Sequence, residues 1–273
     1  MTRKRQTAVS CWKCFPFPGI RMIFGLKWPR SKSKGMLREG WHLIRSAHMK
    51  TVLRFLVGLL ILSSVRADEA AEAILRAARV NPLGKPLVLD ARLRAGEQKV
   101  PFQIAVNDGK ISYVFSNPSQ EILLGFGEDA STLEERRGGK AQPVSPARFD
   151  DSVRGGLLTY EDLALRFLYW KNPKLLGEEK VSGRTAFKIE IPAPPTASEY
   201  GVVRVWVDKA QGALLRIEGY DREGRLSKVF VVNSVQEIDG QGMLKQMRVE
   251  RIDPATRKVA LRTYLEILGK ASP

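Results

Sequence analysis

The chain has 273 residues and a formal net charge of +16, from 45 Lys/Arg against 29 Asp/Glu, with only two Cys and two His. The charge is lopsided: residues 1–67 hold 14 Lys/Arg and one acid, Glu39, leaving 31 cations against 28 acids, or +3, for residues 68–273. Cys11, Cys14, His42 and His48 all fall in that first stretch, so the rest lacks the residues for a Ser-His-Asp triad, a Cys nucleophile, a thiolate or imidazole metal site, or a disulfide framework.

Met49, Lys50 and Arg54 form a short positive region, Phe55 to Leu62 is almost wholly apolar, and Ser63-Ser64-Val65-Arg66-Ala67 ends on small residues. This is the pattern of a secretory signal peptide over 49–67, cleaved after Ala67. An uncleaved anchor is the alternative, but the apolar core is about half of the roughly 20 residues needed to span a bilayer. No Cys follows the run, so a lipid-attachment signal is missing and no integral span is expected after cleavage. Residues 1–48 then read as a non-native upstream extension, with synthesis expected to begin at Met49. Their basic residues with interleaved aromatics (Arg3, Lys4, Arg5, Trp12, Trp28, Arg30) could instead suit an arm for nucleic acid or anionic lipid. An export signal and a nucleic-acid arm require different compartments, so no nucleic acid is expected as partner. Cys11 and Cys14 form an isolated CxxC without further ligands, read as incidental.

Residues 68–273 are enough for one domain with a substantial core. Asp68 to Val80 carries Ala71, Ile74, Leu75 and Ala78 at helical spacing and predicts a short amphipathic helix, ended by Pro82, Gly84 and Pro86. Alternation follows at once: Leu87, Leu89, Ala91 and Leu93, then Val100, Phe102, Ile104 and Val106, then Ile111, Tyr113 and Phe115 after an Asn-Asp-Gly turn. Gln120 to Phe126 and Ser131 to Arg137 predict two further strands. Gly138 to Gly156 reads as an irregular loop. Thr159 is a plausible N-cap with Asp162 three residues on, and Leu163, Phe167 and Trp170 predict one apolar stripe on a short helix ended by Asn172-Pro173. That stripe is either plain core or the wall of an apolar pocket.

Leu175 to Val181 and Ala186 to Ile191 predict a hairpin about Ser182-Gly183, and Pro192 to Ser198 a surface loop. From Gly201 to Leu268 the chain is a meander of four or five strands with short polar turns. Val203, Val205 and Val207 oppose Arg204, Trp206 and Asp208; Met243, Met247 and Val249 oppose Gln246, Arg248 and Glu250; Val259, Leu261, Thr263, Leu265 and Ile267 form one apolar row. So many antiparallel strands with so few helices predict a mainly β, α+β domain: a curled antiparallel sheet, an unclosed β-barrel covered on its concave side by helices.

The run Leu87-Val-Leu-Asp-Ala-Arg, the Lys99-Val-Pro-Phe strand, Tyr160-Glu-Asp-Leu followed by Phe167 to Trp170, Leu175-Leu-Gly-Glu-Glu, Val205-Trp-Val-Asp and Arg262-Thr-Tyr together resemble the bacterial outer-membrane lipoprotein-sorting family, the LolA/LolB-like proteins, in its poorly characterised periplasmic branch. The resemblance implies an unclosed barrel with a helical lid, sheltering acyl chains in an apolar cavity. It implies a periplasmic, non-enzymatic carrier of lipoproteins or other apolar envelope ligands, with delivery partners at the inner or outer membrane and no cofactor or metal. The lid-closing Arg of such carriers is assigned to neither Arg92 nor Arg94. Phe102, Ile104, Phe115, Leu163, Phe167, Trp170 and Trp206 are the candidate cavity or lid positions; Trp206 also reads as an ordinary packed sheet aromatic. Two other classes stay open. One is an interaction module of the same fold that senses envelope stress or lipid, and the other is a carboxylate-dependent hydrolase of envelope glycans, which no spacing singles out.

Overall fold

A computed structural model describes residues 68–79, 86–107, 109–195 and 198–271. The expected upstream extension (1–48) and signal peptide (49–67) lie outside the described residues. Residues 68–79 form helix α1, with Ala71 and Leu75 buried one turn apart. Thirteen strands follow: β1 (Leu87–Ala95), β2 (Gln98–Asn107), β3 (Lys110–Phe115), β4 (Gln120–Phe126), β5 (Ser131–Arg136), β6 (Gln142–Pro143), β7 (Lys174–Val181), β8 (Arg184–Pro192), β9 (Val202–Asp208), β10 (Leu214–Tyr220), β11 (Leu226–Ile238), β12 (Gln241–Ile252) and β13 (Val259–Lys270).

All thirteen belong to one antiparallel sheet, ordered β6-β5-β4-β3-β2-β1-β13-β12-β11-β10-β9-β8-β7. Strands adjacent in the sheet are consecutive in the chain except at one seam, where β1 lies beside β13 with Arg92 opposite Glu266 and Leu93 opposite Leu265. The sheet is therefore two meanders, β1 to β6 and β7 to β13, joined through the most distant strands of the chain. Its edges, β6 and β7, do not pair with each other, so it is unclosed. Two-residue turns set the register of two hairpins: Ser182-Gly183 and Asp239-Gly240 both have two consecutive positive φ values, as a type I′ turn requires.

Alternation sorts the side chains onto two faces. Leu89, Ala91 and Leu93 of β1, Phe102, Ile104 and Val106 of β2, Ile122 and Leu124 of β4, Val203, Val205 and Val207 of β9, and Leu265 and Ile267 of β13 join one buried cluster on the inner face. The outer face is polar and stapled by ion pairs. Arg92 and Arg94 both donate to Glu266, Arg216 to Glu218 and Arg262 to Glu250.

The apolar row predicted along 259–267 is dry only in its second half. Thr263, Leu265 and Ile267 are buried, whereas Val259 and Leu261 are 44% and 53% exposed. Leu261 pairs with Arg251 at a position where the register of β12 then shifts, so this hairpin end carries its alternation beyond the part of the sheet that has a partner layer.

Candidate functional site

The segment 144–173 leaves β6, one free edge, and arrives at β7, the other, and its apolar side chains join the inner-face cluster. It forms the lid in two halves. The first is the one-turn helix α2 (Tyr160–Leu163), started by the capping box that the sequence suggested: the Thr159 N–H donates to the Asp162 carboxylate at 3.0 Å, and the Asp162 N–H to the Thr159 hydroxyl at 3.3 Å. The second is a 3₁₀ turn, Arg166–Tyr169. The single helix predicted through Leu163, Phe167 and Trp170 is thus corrected. Leu165 adopts a left-handed conformation (φ +47°) that ends α2, and Asn172 (φ +60°) bounds the second half. Left-handed backbone is unfavourable for a branched side chain such as leucine. Here it re-aims the chain so that Phe167, Leu168 and Trp170 are all buried, which a continuous helix would have spread around its circumference.

The α2 half is pinned. Lys228, on the inner face of β11 and 1% exposed, donates from Nζ to Asp162 at 2.9 Å and to Glu199. Tyr200 donates its hydroxyl to the other Asp162 oxygen at 2.7 Å. Burial opposes the Lys228 charge, but Asp162 and Glu199 outweigh it and hold its pKa above the usual lysine value. The Tyr200 ring packs against Gly219, where an added Cβ would stand 2.2 Å from ring carbon Cε1, so only glycine admits this contact. On the other flank Tyr160 and Gln120 donate to Glu135, which also receives Arg148 and Arg137. Burial would raise the Glu135 pKa, yet these four donors hold it down at about 2. The Glu161 carboxyl is buried with one hydrogen bond among the described residues, from the Ser198 hydroxyl at 2.7 Å; burial, with Asp150 and Asp162 nearby, pushes its pKa up to about 7.

The second half, Arg166 to Trp170, is a flap held by fewer polar contacts. Arg79 of α1 donates from Nε to the Leu168 carbonyl at 2.9 Å, and again from Nη2, and from Nη1 to the Glu128 carbonyl at 3.3 Å. Its guanidinium lies 4.6 Å from the Tyr169 ring centroid, and the Tyr169 hydroxyl donates to Gly127. Sequence reasoning passed over Arg79, but the signal was there. Ala71, Leu75 and Arg79 recur at intervals of four on the helix face that must be buried. Arg92 and Arg94 are on the outer face with Glu266 and do not reach the lid.

Beneath the lid, Phe102 stacks on Phe115 at 4.9 Å and on Tyr113 at 5.8 Å, and Phe167 meets Trp170 edge-on at 6.4 Å. Phe102, Ile104, Phe115, Leu163, Phe167 and Trp170 all belong to the one apolar cluster. Burial in it pushes the Tyr113 hydroxyl up to about 12. Trp206 is the exception among the predicted site residues. It pairs across the sheet with Lys188 and Arg216, donates to Glu179 at 3.2 Å, and lies on the face opposite Val205. It is 2% exposed because cationic side chains cover it, with the Lys188 Nζ 5.0 Å and the Arg216 guanidinium 5.4 Å from its ring. Trp206 is therefore withdrawn from the cavity set. The alternation of 203–208 already placed it away from the valines.

Among the described residues no helix is long and apolar enough to cross a membrane. A family model described as an uncharacterized protein matches residues 139–265, which contain the lid and the seven strands from β7 to most of β13. No curated protein matches the chain. Solved structures do. A DUF1329 family protein from Desulfovibrio piger is 20% identical, with a TM-score of 0.56 over 74% of this chain and 91% of its own. A domain from Vibrio parahaemolyticus named for outer membrane lipoprotein sorting is 20% identical, with a TM-score of 0.58 over 75% of this chain and 92% of its own. A LolA superfamily protein from Nitrosomonas europaea is 17% identical, with a TM-score of 0.50 over 72% and 90%. With one antiparallel sheet left unclosed and a lid running from edge to edge across its inner face, the chain has the LolA-like fold, and the resemblance seen in its sequence holds at the level of that fold.

Proposed function

We propose that this protein is a periplasmic carrier that shelters acyl chains of lipoproteins or other apolar envelope ligands between the inner face of its sheet and the flap 166–170. The observation that carries this reading is the flap itself: a short segment bounded by two left-handed residues, apolar beneath, over an inner face whose β1 and β2 rows are wholly apolar. Two of the fold neighbours, one named for lipoprotein sorting and one for the LolA superfamily, favour the same ligand class. The energies permit it. Lifting the flap exposes Phe167, Leu168 and Trp170, at roughly 2 kcal/mol each, whereas burying a 16-carbon chain returns about 0.8 kcal/mol per CH₂, on the order of 12 kcal/mol. No catalytic group is needed for such exchange, and the export pattern in the sequence at 49–67 favours the periplasm as its compartment.

Native mass spectrometry with lipid extraction, on protein expressed from Met49 and recovered from the periplasm, tests this. A mature mass beginning at Asp68 with a co-purifying acylated species is expected, and Phe167→Ala should lower its occupancy. A ligand-free mass that stays unchanged after incubation with lipids and lipopeptides would overturn the carrier reading.

A further inference from the structure

Beside the flanking anchor of the lid lies a cleft of about 480 Å³, lined by Pro118, Ser119, Gln120, Arg137, Arg154 and Gly155 among others. Its cationic side chains are only partly neutralised. Arg137 and Arg148 share one carboxylate, Glu135, at 2.9 Å each, and Arg148 also meets Asp151 at 3.1 Å. Arg154 has no carboxylate partner among the described residues. Its guanidinium donates to neutral oxygens alone: the carbonyls of Asn117 and Pro118 and, at 3.5 Å, the side-chain oxygen of Gln120. Of the two guanidinium groups that line the cleft, Arg137 therefore shares its carboxylate with Arg148, which is outside the lining, and Arg154 has none among the described residues. Arg154 is also held at φ +55° next to Gly155 at φ +70°, a conformation unfavourable for a long side chain and one that tends to persist where a site requires it.

The cleft adjoins the apolar interior at one residue. The Arg154 guanidinium lies 5.0 Å from the ring centroid of Phe115, which in turn stacks on Phe102 in the inner-face cluster. Cation, aromatic ring and apolar core therefore follow one another inward, the order of polarity along an anionic amphiphile. The volume exceeds what a lone oxyanion fills and suits a head group of glycerol phosphate size.

We propose that this cleft binds the anionic, phosphate-bearing head group of a single-chain amphiphile whose acyl chain passes Phe115 into the interior, with Arg154 and Arg137 as the head-group ligands. Guanidinium forks match phosphate oxygens in pairs, and Arg137, whose side chain is 62% exposed, can turn to meet them. The inference rests on the carrier reading and narrows its ligand class.

The test is calorimetric titration of the mature protein with lauroyl lysophosphatidylglycerol, with neutral monolauroylglycerol of the same chain, and with glycerol 3-phosphate. The wild type should bind the anionic lipid about tenfold more tightly than the neutral one, and the difference should shrink with added salt. Arg154→Gln and Arg137→Gln should each remove most of that difference while leaving the neutral lipid's affinity unchanged. Arg154 also braces the β3–β4 turn and Arg137 also donates to Glu135, so the urea midpoint of each variant is measured alongside, and a lost preference in a variant whose midpoint and neutral-lipid affinity match the wild type is the result expected. Equal wild-type affinities for the two lipids, or a preference that survives both substitutions, would overturn the head-group site and leave the carrier reading standing. Glycerol 3-phosphate binding as tightly as the lysolipid would show a free-anion site and overturn the amphiphile. Binding of neither lipid would overturn the head-group site, while the carrier reading stands or falls on the lipopeptide arm of the mass spectrometry.

Discussion

At the scale of the residue, the decisive groups are charges placed where the sheet should be dry. Lys228 shares its strand face with Phe230, so its ammonium is carried inward with the apolar row and must find partners there. Asp162 and Glu199 supply them, and the pair fastens α2 to the sheet. Breaking a buried pair strands the remaining charge, which costs more than removing both partners together. Lys228→Met is expected to lose about 3–5 kcal/mol in urea denaturation, and Lys228→Met with Asp162→Asn to recover a substantial part of that loss. A double variant no more stable than the single one would mean that Asp162 does not need Lys228. This residue was invisible to strand reading because a lysine in an alternating pattern is ordinarily assigned to the wet face. Only the position of Asp162, 66 residues earlier, makes the inner face tolerable.

At the scale of the element, the lid is two pieces with different attachments. Helix α2 is tied by buried groups on both flanks. The flap depends on Arg79 and Tyr169 for its polar contacts and on burial of Phe167, Leu168 and Trp170. Hydrogen bonds from a charged donor contribute about 1.5–3 kcal/mol, so Arg79→Gln should accelerate exchange of the Leu168 and Trp170 amides by about 10- to 100-fold. The Leu163 and Ala164 amides, inside α2, should be little changed. Joint acceleration of all four, read by hydrogen-exchange mass spectrometry, would show that the lid opens as one unit. The apolar stripe was legible in the sequence, and so was the cap at Thr159. The break at Leu165 was not, because nothing local requires leucine to turn left-handed. The need to bury three neighbouring side chains against one inner face imposes it.

At the scale of the whole molecule, two sets of carboxyl groups make stability depend on pH in opposite directions. Glu135 and Glu266 have folded pKa values of about 2, below the ordinary value near 4.5; in each, burial is outweighed by the donors around it, Arg94, Arg92 and Gln246 in the case of Glu266. Their contribution is present above pH 4.5 and is lost as pH falls toward 2. Glu161, raised to about 7 by burial, has the reverse effect: the fold favours its neutral form, so stability declines as pH rises from 4.5 through 7. Urea midpoints should therefore be highest near pH 5 and lower at both pH 3 and pH 8. Glu161→Gln should flatten the decline above pH 5, which is on the order of 2–3 kcal/mol, and leave the acid limb unchanged. A decline above pH 5 that persists in Glu161→Gln would assign it to other groups.

Taken alone, the sequence determined where most strands and turns fall, though not the short β6 inside the stretch 138–156 read as a loop, because a period of two and short polar turns are local properties of the chain. It determined that residues 68–273 have neither Cys nor His, and that Trp206 stands opposite the valines of its own strand. Tertiary structure alone decided what depends on encounters between distant segments: the seam of β1 with β13, the dry and wet halves of β13, the attachment of the lid through Lys228 and Arg79, and the cleft where Arg154 meets the β3–β4 turn. The physical reason is that alternation says which side chains share a face but not what covers that face. Coverage is settled when the lid runs from one free edge of the sheet to the other and encloses one face of it.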